Sequence, residues 1–247
     1  MEHCQKQSVS FLSKGKFGRQ NGDAMNRKSD PAAKQNPGWL LFWPVFGLRY
    51  LLLERFHPTG VYHPVRCSLD DRIPFTEGFL IPYFLWYFCM IGVHLWLLIR
   101  NDPAYRQYSG YLVLTMSVST LLFLLYPTCQ DLRPDVFYRS NCLTDGVALL
   151  YRLDTNTNVC PSEHVIGSAG FFLAVTASSG TGSKHRVAAG VTAFLTAVAT
   201  VFLKQHSLID VVAAVPVCLL GWFFAFSEKR TQTCFVEFKT KLHKYLR

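Results

Sequence analysis

The sequence predicts an all-α membrane protein, a six-span transmembrane helical bundle with an interfacial helix in its third loop. Three observations carry that reading. Of 247 residues, 50% are hydrophobic and only 17% charged, a balance too apolar for a soluble domain. The apolar residues fall into six separate runs, roughly 38–56, 76–99, 108–126, 164–180, 185–203 and 207–226, each near the ~20 residues that cross a bilayer. Lys and Arg gather in the two tails and around 100–106 and 184–186, whereas the opposite segments keep only Arg66, Arg72, Arg133, Arg139, Arg152 and Lys204. That asymmetry fits the positive-inside rule with both tails in the cytoplasm. The formal charge of +9 is thereby read as topogenic and lipid-attracted, and no basic-aromatic module points to nucleic acid.

Residues 1–37 are polar and basic without an apolar core, so they predict a disordered cytosolic tail and no cleavable signal. The first run, GWLLFWPVFGLRYLLLERF, is the weakest because Arg49 interrupts it. The second follows Asp70 and Asp71, places Glu77 at its outer end, and carries Tyr83, Trp86 and Tyr87 as an interfacial aromatic belt. Between the third and fourth runs, 127–163 is the longest and least apolar connection. Within it LTDGVALLYRL puts Leu143, Val147, Leu150 and Tyr151 on one helical face, predicting a short interfacial helix behind Thr144 or Asp145. SSGTGSKH at 178–185 lacks the spacing of a phosphate loop and reads as a turn on the other side. Residues 38–226 thus form one six-span domain, and 227–247 a basic cytosolic tail.

Among the eight cysteines, Cys67, Cys129, Cys142 and Cys160 fall in outer segments. Four cysteines allow three pairings, and free thiols are the alternative. No CxxC pair suggests zinc.

Charge is costly in these surroundings, which singles out NVCPSEHVIGSAG at 158–170, where Glu163 and His164 open an apolar run. His206 stands on the same predicted side, and Asp210 follows it by one helical turn. A carboxylate at that offset accepts one ring N–H, fixes the tautomer and leaves the other nitrogen more basic. Arg133 adds a planar cation suited to phosphate, and helix starts near Ser162 and Ser207 add N–H groups. Two histidines with such neighbours suit phosphoryl transfer, one attacking phosphorus and the other protonating the leaving oxygen. A His/Asp metal site is the competing chemistry, but no further acidic or histidine cluster completes a cage.

Three stretches in order, YPTCQDLRP (126–134), PSEH (161–164) and ATVFLKQHSLID (199–210), resemble the KxxxxxxRP, PSGH and SRxxxxxHxxxD motifs of the type 2 phosphatidic acid phosphatase superfamily. The resemblance covers about residues 38–226. It implies a lipid phosphate phosphatase in which His206 is the nucleophile and Asp210 orients it. His164 is then the general acid, and Arg133 and Ser162 bind phosphate. It also implies no cofactor and no metal, a lipid phosphate substrate, and a multi-pass cell-membrane protein whose site faces the extracytoplasmic side.

The motifs also depart from the family. Tyr126 replaces the first lysine, Ala199 and Thr200 replace the Ser-Arg pair, and Glu163 replaces a glycine. Lys204 is a candidate replacement cation, while Glu163 is read as facing water. These losses resemble the inositol phosphorylceramide and sphingomyelin synthase branch, which transfers a head group to an alcohol. There Glu77 could bind a polyol acceptor or pair with Arg133. A lipid-binding or transport protein on the same scaffold is the non-enzymatic alternative.

Overall fold

A computed structural model of the chain describes residues 34–55 and 60–227. Of the tails expected over 1–37 and 227–247, residues 1–33 and 228–247 lie outside the described residues. Seven α-helices follow one another: α1 (Phe42–Arg55), α2 (Leu80–Ile99), α3 (Ala104–Leu125), α4 (Cys142–Leu153), α5 (Glu163–Ala177), α6 (Ser183–Phe202) and α7 (Leu208–Ala225). A two-residue strand, β1 (His63–Pro64), pairs in parallel with β2 (Thr128–Cys129) and ties the loop before α2 to the loop after α3.

Among the described residues, four helices are long and apolar enough to cross a membrane: α2 with its preceding turn, α3, α6 and α7. The fifth apolar helix, α5, has 15 residues and α1 has 14, both below the ~17–25 usual for a span. The outward faces of the long helices remain apolar, with Phe88, Ile99, Leu125, Phe194 and Val212 all well exposed. That is the surface a hydrocarbon solvent accepts and water does not.

Small residues set how closely the helices approach. A Cβ on Gly167 of α5 would come within 2.6 Å of the Met90 Sδ of α2. Tyr111 of α3 wedges between Gly170 of α5 and Gly221 of α7, where an added Cβ would lie 2.7 and 2.5 Å from its ring. Its hydroxyl, fully buried, donates to the Ile166 carbonyl at 3.0 Å. Close backbone approach at small residues is how helices gain packing energy where lipid is the alternative neighbour.

The two ends of the bundle differ. At one end the α2–α3 and α5–α6 turns meet, where Ser178 Oγ donates to Asp102 at 2.6 Å. At the other, the loops 60–76, 126–141 and 154–162 and the α6–α7 turn converge. The short helix expected near residue 144 is α4, and its cap is Asn141 rather than Thr144 or Asp145. The Asn141 side chain accepts from Leu143 and Thr144 N–H, while Thr144 Oγ1 answers the Asn141 N–H. All six cysteines among the described residues, including Cys67, Cys129, Cys142 and Cys160, are free thiols.

Candidate functional site

The turn from α6 into α7 explains the spacing HSLID. Ser207 is the N-cap of α7, and Asp210, at the third helical position, accepts the Ser207 N–H at 2.9 Å in a capping box. Because His206 sits just before the cap, the same Asp210 oxygen also reaches its Nδ1 at 3.2 Å. A capping requirement thus fixes the carboxylate that orients the imidazole. Lys204 makes the reversal possible in a left-handed backbone conformation (φ 56°).

His164 stands in the first turn of α5, and its Nδ1 lies 3.4 Å from His206 Nε2. Both histidines are buried, at 8% and 7% exposure, and Asp210 is wholly so. Tyr83 and Trp86 pack on the His164 ring, each with centroids 4.4 Å away. Its Nε2 is buried without a hydrogen-bond partner, as is Ser162 Oγ at the N-cap of α5. Each has no partner among the described residues and can therefore bond a polar group that enters here. The first-turn N–H groups of α5 have no carbonyl within the helix to bond, so this end favours an anion.

The start of α7 is arranged differently. Its Leu208 N–H donates to Asp70 Oδ1 at 2.9 Å, and Ser207 Oγ donates to Asp70 Oδ2 at 2.6 Å. Burial pushes the Asp70 carboxyl up, but the bonds from Ser207, Leu208 and Cys67 outweigh it and hold the group below the usual aspartate range. The positive end of α7 is therefore occupied by the protein's own carboxylate, and α5 alone offers a free helix start to the histidine pair.

Arg133, Lys204, Tyr126 and Glu77 lie elsewhere than the pocket wall. Arg133 donates to the carbonyls of Tyr151 at 3.1 Å and Asp154 at 2.7 Å, closing the C-terminal end of α4, and to Gln205 Oε1 at 2.5 Å. Burial pushes its pKa down, opposed by Asp154. It reaches the residues that line the cavity through the Asp154 carbonyl and Gln205. Lys204 Nζ donates to the Asp70 carbonyl at 2.7 Å. Burial lowers its pKa too, with Asp70 and Asp71 opposing. Tyr126 stacks on His63 at 4.1 Å with its side chain largely exposed. Glu77 faces Arg139 and Asn141 rather than Arg133. Thr200 is fully buried and donates to the Ala197 carbonyl.

The sequence reading missed Arg49. It reaches from α1 to Glu163 in a two-pronged ion pair, Nη1–Oε1 at 2.7 Å and Nη2–Oε2 at 2.6 Å. Glu163, expected to face water, is only 14% exposed, and Arg49 16%. An arginine inside an apolar helix is costly enough to count as a functional candidate, and that signal was present in the first run.

Arg49, Glu163, His164 and His206 line one cavity of about 60 Å³. Its other side is acidic: Glu54 pairs with Thr155, and Asp154 accepts from the Tyr50 and Tyr83 hydroxyls and from Gln205. Among the described residues, no group of three His, Cys, Asp or Glu side chains is placed to hold a metal ion.

The chain matches no protein-family profile, no curated protein and no solved structure.

Proposed function

We propose that the chain is an integral membrane lipid phosphate phosphatase acting through a phosphohistidine, with six spans and a site at the extracytoplasmic face. The observation that carries the reading is the His164–His206–Asp210 alignment at the N-terminal end of α5. Asp210 holds the proton on His206 Nδ1, so Nε2 presents its lone pair. Nitrogens 3.4 Å apart leave no room for phosphorus between them, so the two rings part as substrate enters from the cavity and frees the Nε2 lone pair. His206 Nε2 attacks phosphorus, the P–O bond to the lipid breaks, and His164 gives its proton to the departing oxygen. Water then attacks the phosphorus of the phosphohistidine, loses a proton to His164, and releases inorganic phosphate. Ser162 and the first-turn N–H groups of α5 are positioned to bond the non-bridging oxygens as charge moves onto them.

The test is to incubate purified protein with labelled long-chain lipid phosphate and quench it. An acid-labile, base-stable phosphoryl label on wild type that is missing from His206→Ala supports the reading. Unlabelled protein, or label persisting in that variant, sinks it.

A second reading is favoured by the acidic wall. Tyr50, Glu54, Asp154 and Thr155 offer hydroxyl and carboxylate partners to an alcohol, as a head-group phosphotransferase requires. Adding diacylglycerol or inositol separates the two: a new phosphodiester shows transfer, and inorganic phosphate alone shows hydrolysis.

A further inference from the structure

The catalytic cavity shares one residue with a second space. Between α1 and α3 lies a groove of about 460 Å³, lined by Trp39, Leu41, Val45, Phe46, Val113 and Met116 among others. Leu41 and Val45 are exposed on its open side, at 67% and 64%. Arg49 closes the groove's inner end together with Thr120, and it is also a wall of the histidine cavity. The guanidinium bonds Thr120 Oγ1 at 2.8 Å, the Met116 carbonyl at 3.2 Å and Glu163, and stacks on Phe46 at 4.6 Å. One donor is left over, since Arg49 Nε is buried and has no partner.

We infer that Arg49 is the phosphate-binding cation of this site, held in reserve by Glu163, and that the α1–α3 groove takes the hydrocarbon chain of the same ester. This rests on the phosphatase reading for the identity of the reaction, but not for the binding itself. Among the charged residues lining the cavity, Arg49 faces Glu54, Asp154 and Glu163. Of the residues lining the cavity Arg49 is the one with a guanidinium or ammonium group, so it is the side-chain cation that a phosphate meets there. Glu163 neutralises the buried cation when the site is empty and yields part of its fork when phosphate arrives. The geometry then sorts substrates: the phosphate sits on the histidine side of Arg49 and the chain on the apolar side. A long-chain phosphate monoester satisfies both spaces at once, and a short one fills only the first.

Binding of hexadecylphosphonate and ethylphosphonate to the purified full chain in detergent tests this without requiring turnover. Arg49→Gln is expected to weaken both roughly tenfold or more. Glu163→Gln is expected to tighten both several-fold, and to lose that effect in the Arg49→Gln background, a coupling that plain charge removal would not show. Ser117→Trp, on the exposed floor of the groove, is expected to weaken hexadecylphosphonate and leave ethylphosphonate unchanged. Equal binding by Arg49→Gln and wild type overturns the cation assignment. A Glu163→Gln effect that persists without Arg49 overturns the exchange, and a Ser117→Trp variant that treats both probes alike overturns the groove. Should Arg49→Gln fail to fold, the sign of the single Glu163→Gln effect decides the exchange, since unchanged or weaker phosphonate binding overturns it, and Ser117→Trp still decides the groove. Arg49-dependent binding with no His206-dependent hydrolysis would end the catalytic reading and leave this inference standing. His206-dependent hydrolysis with Arg49-independent binding would do the reverse.

Discussion

Two buried histidine settings in this protein have opposite bookkeeping. At the seam of α1, α2 and α3, His94 Nδ1 accepts from Trp43 Nε1 at 3.0 Å, and its Nε2 lies 2.9 Å from Ser109 Oγ, which donates to the Tyr105 carbonyl. The indole can only donate, so the His94 tautomer is fixed and both its nitrogens are satisfied. At the α5–α7 end, His164 meets His206 through one nitrogen and leaves the other without a partner. Burial alone therefore does not distinguish the two settings; an open hydrogen-bond valence inside a polar cavity does.

Replacing each histidine should separate the two settings most sharply. His206→Ala is expected to abolish lipid phosphate hydrolysis, by at least the ~10²–10⁴ that acid–base and nucleophilic groups supply, with melting temperature nearly unchanged. His94→Ala should do the opposite. It strands Trp43 and Ser109 at a cost of about 1–3 kcal/mol and lowers the melting temperature, yet keeps turnover per folded molecule. If His94→Ala loses turnover while folded, the contrast fails.

Asp210→Asn comes next, because the carboxylate is a positioning group for His206 and a cap for α7. Turnover is expected to fall on the order of 10²-fold, beyond what the accompanying loss of stability explains. A loss of stability with unchanged turnover per folded molecule would make Asp210 a cap only.

Asp70 carries a smaller, pH-dependent effect. Its carboxyl lies below the ordinary range when folded, so its stabilisation is complete above the unfolded value of about pH 4 and fades as pH falls through the lower folded value. Melting temperatures of wild type and Asp70→Asn should differ at neutral pH and converge in acid. Divergence in acid would refute the assignment. The smallest effect is at Cys160, whose thiol is pushed up to about 12 by burial and then by Asp210. At pH 8 it should alkylate far more slowly than exposed Cys142; equal rates would show an open path to the site.

Much of the fold is legible from hydrophobic runs alone. α2, α3, α6 and α7 fall on the runs at 76–99, 108–126, 185–203 and 207–226 because length and apolarity suffice to specify them. The His206–Asp210 pair is equally legible, being one helical turn apart. What the sequence hides is long-range pairing. Nothing near Arg133 announces that α4 will end beneath its guanidinium, and nothing near Glu163 points to an arginine 114 residues earlier. Even the start of α7 looked open until Asp70, 138 residues away from Leu208, covered it.

That 114-residue separation also bears on how the chain is made. An arginine in an apolar helix is costly to insert without a partner, and α1 emerges from the ribosome long before Glu163 can neutralise it. α1 is therefore expected to settle only once α5 is present. Ribosome-arrested chains ending before Glu163 should leave a cysteine introduced at Leu48 open to an aqueous maleimide, and chains extending past α5 should protect it. Protection in both would mean that α1 inserts unaided.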